Sequence, residues 1–276
     1  IDGAAGVPSP APAAIRWQRG QKLGAGAFGV VYLGLNLDTG ELMAVKQIDN
    51  HDISARELAA MEHEIRLVQG MSNENIVRYL GTERTPETLS IFLEYVPGGS
   101  IRQLLEKFGQ LDETVVRVYT RQILLGLEYL HNSGIAHRDI KGANILVAND
   151  GTIKLADFGA SKRMGARSTV HTATGMKGTP MWMAPEVIKE QQTARGWKKA
   201  DVWSVGCTVV EMLTGKPPWS QYSNPVTAMY HIACEGSVPD IPDDVSDGAR
   251  SFLEVCFQRE PADRPDPTAL LLHPFV

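Results

Sequence analysis

Apolar and polar positions change rhythm several times along the chain. Residues 1–15 are rich in Ala, Pro and Gly with one charge, Asp2, and can bury so little that a flexible lead-in is expected. From Trp17 the rhythm becomes strand-like. Gln21-Lys-Leu23 leads into Gly24-Ala-Gly-Ala-Phe-Gly29, and Val30-Val-Tyr-Leu-Gly-Leu35 is rich in β-branched and aromatic residues. A turn signal at Asp38-Thr-Gly40 then precedes another apolar run, Glu41 to Ile48, so three antiparallel strands are predicted before any helix. Ser54 to Gln69 has the spacing of an amphipathic helix, and Leu89 to Val96 reads as a buried strand ending at a hinge, Pro97-Gly-Gly99. Helical periodicity over Leu111 to Asn132 places Val115, Val118, Ile123, Leu127 and Leu130 on an apolar face, with a stop at Ser133-Gly134. Ile145-Leu-Val147 and Ile153-Lys-Leu155, flanking Asn149-Asp-Gly151, read as a hairpin. Ser161 to Met181 is polar and lacks a period, a loop long enough to be functional. A long apolar helix starts at Lys199-Ala-Asp-Val-Trp and runs through Leu213.

Composition narrows the classes. The 276 residues are 43% hydrophobic and carry a formal charge of -5, which argues against a nucleic-acid surface. No apolar run approaches the roughly 20 residues of a spanning helix, and no signal peptide is visible, so an intracellular protein without a membrane segment is expected. Cys207, Cys234 and Cys256 have no metal-ligand spacing and read as reduced core thiols. The chain begins at Ile1 rather than Met, which reads as a piece of something larger.

The chemistry gathers at His137-Arg-Asp-Ile-Lys-Gly-Ala-Asn-Ile-Leu146. An acid (Asp139), a cation (Lys141) and an amide (Asn144) share one short loop, and the following hairpin delivers a second acid, Asp157, before Phe158-Gly159. A lone loop Asp is ordinarily a solvated charge. The set as a whole suits phosphoryl transfer, which needs one carboxylate for a hydroxyl proton, another for Mg²⁺ and an amide oxygen for a second metal contact. The string Gly24-x-Gly26-x-x-Gly29 also occurs in dinucleotide-binding folds, and Asp49 stands about 20 residues on, as that fingerprint asks. There, however, the glycines open a helix. Here a β-branched strand and a turn follow, so the glycines are expected at the bend of a hairpin, where backbone amides can close over phosphates.

These motifs, with Ala44-Val-Lys46, Gly178-Thr-Pro-Met-Trp-Met-Ala-Pro-Glu186, Asp201 and Asp263-Arg-Pro265, resemble the ordered motif set of the eukaryotic protein kinases over residues 17–276. The resemblance implies an α+β bilobal fold: a lead-in at 1–15, then a kinase domain at 16–276. Within it, a β-rich N-lobe with one main helix (16–96) is followed by a mainly helical C-lobe (97–276). It implies ATP bound by Leu23, Gly24, Gly26, Gly29, Val31, Ala44, Lys46, Leu93, Glu94, Val96 and Leu146, with Glu64 (or Glu62) pairing Lys46. Asn144 and Asp157 would hold Mg²⁺, Asp139 would be the base, and Lys141, two residues on, marks the serine/threonine pattern. Asp201 would brace the catalytic loop and Arg264 would pair with Glu186. Arg138, with Lys162, would capture a phosphate on the loop, where Thr172, Thr174, Ser168 and Thr169 are candidates and Thr179 is structural. Gly142-Ala143, Gly175-Met-Lys-Gly-Thr-Pro180 and Gly215-Lys-Pro-Pro-Trp219 resemble the MAP kinase kinase kinases of the Ste11/MEKK type. A MAP kinase kinase substrate is therefore expected, and an upstream activator or regulatory domain outside this segment. Ste20-like kinases, which usually show Ala-Gly at 142–143, stay open as an alternative. A pseudokinase scaffold would lack Lys46, Asp139 or Asp157, and all three are present. Asn73-Glu-Asn75, where relatives usually show His-Pro-Asn, and Met181, where an aromatic is more common, depart from the pattern.

Overall fold

The β-branched runs near the start of the chain pair into a five-stranded antiparallel sheet, in which the fifth strand along the chain lies between the third and the fourth. The computed structural model describes residues 15–26, 29–50, 54, 61, 65, 68–157, 162–163, 180–191 and 196–276. The chain divides into two units: Ile1–Leu58 with Tyr79–Tyr95, and Ala59–Arg78 with Val96–Val276.

The first unit holds the sheet: β1 (Trp17–Gly26), β2 (Gly29–Asn36), β3 (Leu42–Asp49), β4 (Tyr79–Arg84) and β5 (Thr88–Glu94). Alternation along β3 sends Met43 and Val45 to one face, where they are buried with Phe92 against Ile15, Trp17 and Leu80. The Trp17 and Phe92 rings meet edge to face at 5.8 Å. Strand β4, Tyr-Leu-Gly-Thr-Glu-Arg, has no alternation strong enough to be predicted. It forms because β5 offers a ladder and Leu80 reaches the core, a tertiary effect that outweighs local propensity. Gly26 pairs with Gly29 across the first hairpin and a strand follows, so the glycine string does not open a helix. Gly29 is obligatory there: its φ is +146°, and a Cβ would stand 2.1 Å from the Gln47 carbonyl oxygen. Of the predicted helix over Ser54–Gln69, the described residues Met61, Ile65 and Val68 are helical.

The second unit is mainly helical. It contains α1 (Ile101–Phe108), α2 (Glu113–Asn132), α3 (Pro185–Ile188), α4 (Gly196–Thr214), α5 (Pro225–Tyr230), α6 (Asp247–Cys256) and α7 (Pro267–Leu270). Short ladders join β6 (Ile135–Ala136) to β9 (Lys162–Arg163) and β7 (Ile145–Val147) to β8 (Ile153–Leu155), the latter being the expected hairpin. The unpredicted α1 starts on a capping box in which Ser100 and Gln103 satisfy each other's backbone N–H. In α2 the buried stripe is Val116, Thr120, Ile123, Leu124, Leu127 and Leu130. The expectation for Val115 and Val118 is corrected: they are 37% and 52% exposed, because they lie on the side of the first two turns that faces away from Val116 and Thr120. Helix α4 is buried on every side from Ala200 to Leu213 and so forms the centre of the core rather than a surface helix. Cys207 and Cys256 are core thiols as expected. Cys234 is exposed, since the π-helical turn His231–Glu235 buries Ile232 and Ala233 instead. Among the described residues no helix is long and apolar enough to cross a membrane.

Candidate active site

The acid, cation and amide of the loop after β6 meet. Lys141 Nζ donates to Asp139 Oδ2 at 2.8 Å, and Asn144 Nδ2 donates to the same oxygen at 2.7 Å and to the Asp139 carbonyl at 2.9 Å. Both side-chain donors fall on Oδ2, so the second carboxylate oxygen lies away from them. Asp139 and Lys141 side chains keep 17% and 18% of their surface exposed, enough to be reached from solvent.

His137, which sequence reasoning gave no role, locks this cluster to the segment after β8 that carries Asp157. Its Nδ1 accepts the Asp139 N–H at 3.3 Å, so the proton sits on Nε2, which faces the Ala156 carbonyl at 3.1 Å. Ala156 N–H in turn donates to the Asn144 carbonyl at 2.9 Å. Asp157 therefore follows a residue clamped on both sides of its peptide. Complete burial lowers the His137 pKa, against the opposing pull of Asp201, Asp139 and Asp157, and keeps the ring neutral. A histidine following the apolar Ile135-Ala136 pair was the available signal for a core role.

The loop backbone is strained, and buried acids hold it. Arg138 and Asp157 have φ of 71° and 59°, left-handed values that cost a non-glycine residue about 1–2 kcal/mol each. Asp201, on α4, receives the Arg138 N–H at 2.7 Å, the His137 N–H at 2.9 Å and His131 Nε2 at 2.8 Å. This is the bracing acid expected from the sequence. The Arg138 guanidinium lies over the Trp197 ring at 4.1 Å. Glu211, further along α4, accepts the Gly142 N–H at 2.9 Å and the Trp182 indole N–H at 3.1 Å. Burial pushes its carboxyl up, with the two hydrogen bonds pulling it back. Arg264 pairs bidentately with Glu186 at 2.7 and 2.8 Å while fully buried, as expected. The departure at Asn73-Glu-Asn75 packs well: Asn73 Oδ1 accepts the Asn75 N–H at 2.8 Å, and buried Asn75 donates to the Ile153 carbonyl at 2.9 Å.

In the first unit five of the predicted nucleotide residues share a face. Directly opposed residues of a ladder point the same way, and Val31 opposes both Gly24 and Lys46 while Ala44 opposes Leu93. Alternation then puts Gly24, Val31, Ala44, Lys46 and Leu93 on the face opposite Met43, Val45 and Phe92. A Cβ on Gly24 would meet nothing within 4 Å, so packing does not explain that glycine. Leu23 lies on β1, where the register with β2 shifts, and Glu94 ends β5. In the second unit Val96 is buried, and Leu146 sits on β7 bridged to Ser100. Lys162 opposes Ala136 in the β6–β9 ladder. Glu62, Glu64, Ser168, Thr169, Thr172, Thr174 and Thr179 lie outside the described residues.

The donor chemistry fits Mg²⁺. Both Asn144 hydrogen bonds come from its amide nitrogen, which leaves the amide oxygen for a cation, and Asp157 adds a carboxylate. One or two hard oxygen ligands completed by phosphate oxygens is the usual Mg²⁺ arrangement. Among the described residues no group of three or more His, Cys, Asp or Glu could hold a metal by itself.

The sequence model described as "Protein kinase domain" matches residues 17–276. The chain is 57% identical over 268 residues to "Mitogen-activated protein kinase kinase kinase 2" of Arabidopsis thaliana, covering 95% of this chain and 41% of that one. It is 54% identical over 281 residues to "Mitogen-activated protein kinase kinase kinase 3" of the same plant, covering 98% and 42%. The protein of that second name in Homo sapiens is 48% identical over 279 residues, with 98% and 44% covered. The chain thus spans about two fifths of the length of these three relatives.

Proposed function

The chain belongs to the protein kinase domain family, and from that premise we propose that it transfers the γ-phosphate of ATP to Ser or Thr hydroxyls of a MAP kinase kinase. One observation carries the reading: the Asp139 carboxylate is fixed on one oxygen by Lys141 and Asn144. Its other oxygen is then the acceptor for the proton that leaves the substrate hydroxyl. An unperturbed Asp is a weak base, so its main contribution is alignment of that hydroxyl, with the proton moving late. Lys141, held at the same carboxylate, stands ready to offset charge on the phosphate in transit. Asn144 and Asp157 supply the oxygen ligands for Mg²⁺, which when bound neutralises phosphate charge. Lys46 grips the phosphates, and Gly24, Gly26 and Gly29 supply backbone amides without side chains in the way. Leu23, Val31, Ala44, Leu93, Val96 and Leu146 line the adenine, with backbone contacts from Glu94 and Val96. Glu64 fixes Lys46.

The relatives' names favour the MAP kinase kinase kinase reading over the Ste20-like one, and we place the domain in a cytoplasmic MAP kinase cascade. Phosphorylation among Ser168, Thr169, Thr172 and Thr174 would activate it, with Arg138 and Lys162 taking the phosphate. The test is ATP/Mg²⁺-dependent labelling of a panel of catalytically dead MAP kinase kinases, with Asp157→Ala enzyme as control. Labelling at their activation-loop Ser/Thr supports the proposal, and labelling of generic basic proteins alone moves the domain to the Ste20-like class. No labelling, even of an enzyme carrying phosphate in the loop, refutes catalysis.

A further inference from the structure

Gly142 directly follows Lys141, one of the two side chains that fix Asp139. Its main chain is anchored from far away in sequence. Glu211 Oε2 accepts the Gly142 N–H at 2.9 Å and, on the same oxygen, the Trp182 indole N–H at 3.1 Å. The acid is 3% exposed, so these bonds form away from water. Trp182 ends the 3₁₀ turn Pro180–Trp182, which leads through Ala184 into α3. One carboxylate therefore ties the catalytic loop, that turn and α4 together.

The contact also explains the residue type at 142. Gly142 is not among the glycines with positive φ, so backbone freedom is not the reason for it. A Cβ there would lie 2.9 Å from Cδ, Oε1 and Oε2 of Glu211, closer than real Cβ atoms come. The carboxylate occupies the space a side chain would need, and a buried acid held by two donors has little freedom to retreat. Arg102 and Lys141 contribute only at longer range, each favouring the ionised form.

We propose that Glu211 is a positioning residue for phosphoryl transfer, setting the main chain between Lys141 and Asn144 through the Gly142 N–H, and that position 142 must be glycine to admit its carboxylate. The proposal rests on the kinase reading above. A shift of the loop by even 1 Å moves Lys141 and Asn144 off Asp139, and misplacement of that size can cost about 10²-fold in rate.

The test compares wild type, Gly142→Ala, and the double variant Gly142→Ala/Glu211→Asp, in which the acid retreats by one methylene. Phosphorylation of a generic basic protein gives kcat and the KM for ATP, thermal unfolding gives the folded fraction, and ¹⁵N-labelled indole resonances report on Trp182. Gly142→Ala should lower kcat by about 10²-fold at unchanged KM for ATP and shift the Trp182 indole signal. The double variant should recover most of that loss and return the signal. An unchanged kcat and signal in Gly142→Ala overturns the proposal, as does a loss that Glu211→Asp leaves untouched in folded protein. If Gly142→Ala does not fold, Trp182→Phe removes one donor without crowding and should lower kcat roughly fivefold; no change there also overturns it. An inactive wild type refutes the kinase reading instead, and the indole signals then decide the Glu211 contact alone.

Discussion

The two units hold their chemistry by opposite means. In the sheet unit, Gly24, Val31, Ala44, Lys46 and Leu93 come to one face because strands alternate, with ordinary backbone and the apolar core on the other face. In the helical unit, Asp139, Lys141 and Asn144 follow a left-handed turn at Arg138 that is held by acids more than sixty residues away, and Asp157 itself has a left-handed φ. A face set by alternation is local, so a single substitution disturbs a single side chain. A loop pinned by distant buried carboxylates is collective, and loss of one anchor is felt by every group on it.

The sharpest way to probe the loop is at the shared oxygen acceptor. Asp139→Asn keeps the size of the side chain but removes the proposed base, so turnover should fall about 10²–10⁴-fold with ATP binding retained, measured by steady-state kinetics beside nucleotide titration. Near-normal turnover would sink the assignment. Asp201→Ala strips the acceptor from His131, His137 and Arg138 at once, and should cost about 3 kcal/mol or more in denaturant unfolding. A loss under about 1 kcal/mol would mean the loop is not pinned as described.

The glycine hairpin separates the two kinds of requirement within one motif. Gly29→Ala meets both a left-handed φ and the Gln47 carbonyl, and should destabilise by about 1–3 kcal/mol. Gly24→Ala has open space and should leave stability within about 0.5 kcal/mol, with its effect confined to the KM for ATP. Equal stability losses would erase the distinction.

The smallest effect concerns pH. His137 is buried and neutral in the fold with its pKa lowered, whereas in the unfolded chain it titrates near the usual 6.5. Below that pH the unfolded chain takes up a proton the folded one refuses, so this residue's share of stability is full above pH 6.5 and falls on acidification. One proton contributes at most about 1.4 kcal/mol per pH unit. His137→Gln should remove that part of the slope in urea titrations at pH 5 to 7; an unaltered slope would count against a neutral, buried ring.

What could be read from the sequence follows the same division. Alternation over Glu41–Ile48 and the β-branched run after Gly29 were enough to place Lys46 on a strand and to reject a helix after the glycines. The residues Asp139, Lys141 and Asn144 stand within six positions, so their meeting was also legible. The roles of His137 and Glu211 were not, because each acts through hydrogen bonds whose partners lie on other elements. Strand β4 and the exposure of Val115, Val118 and Cys234 escaped for a related reason: what they face is decided by packing, which a one-dimensional period does not encode.

Helix α4 carries both anchors, Asp201 and Glu211, ten residues apart on one rod. At 1.5 Å per residue that sets them about 15 Å apart along the axis, and at 100° per residue about 80° apart around it. The helix is therefore a gauge block for the loop. Its side chains can be exchanged so long as they fill the same volume, but its interval cannot be re-cut. Deleting a single residue between the two acids would swing one of them by about 100° and detach half of the loop, whatever residue was removed. In this part of the chain length is under stricter control than composition.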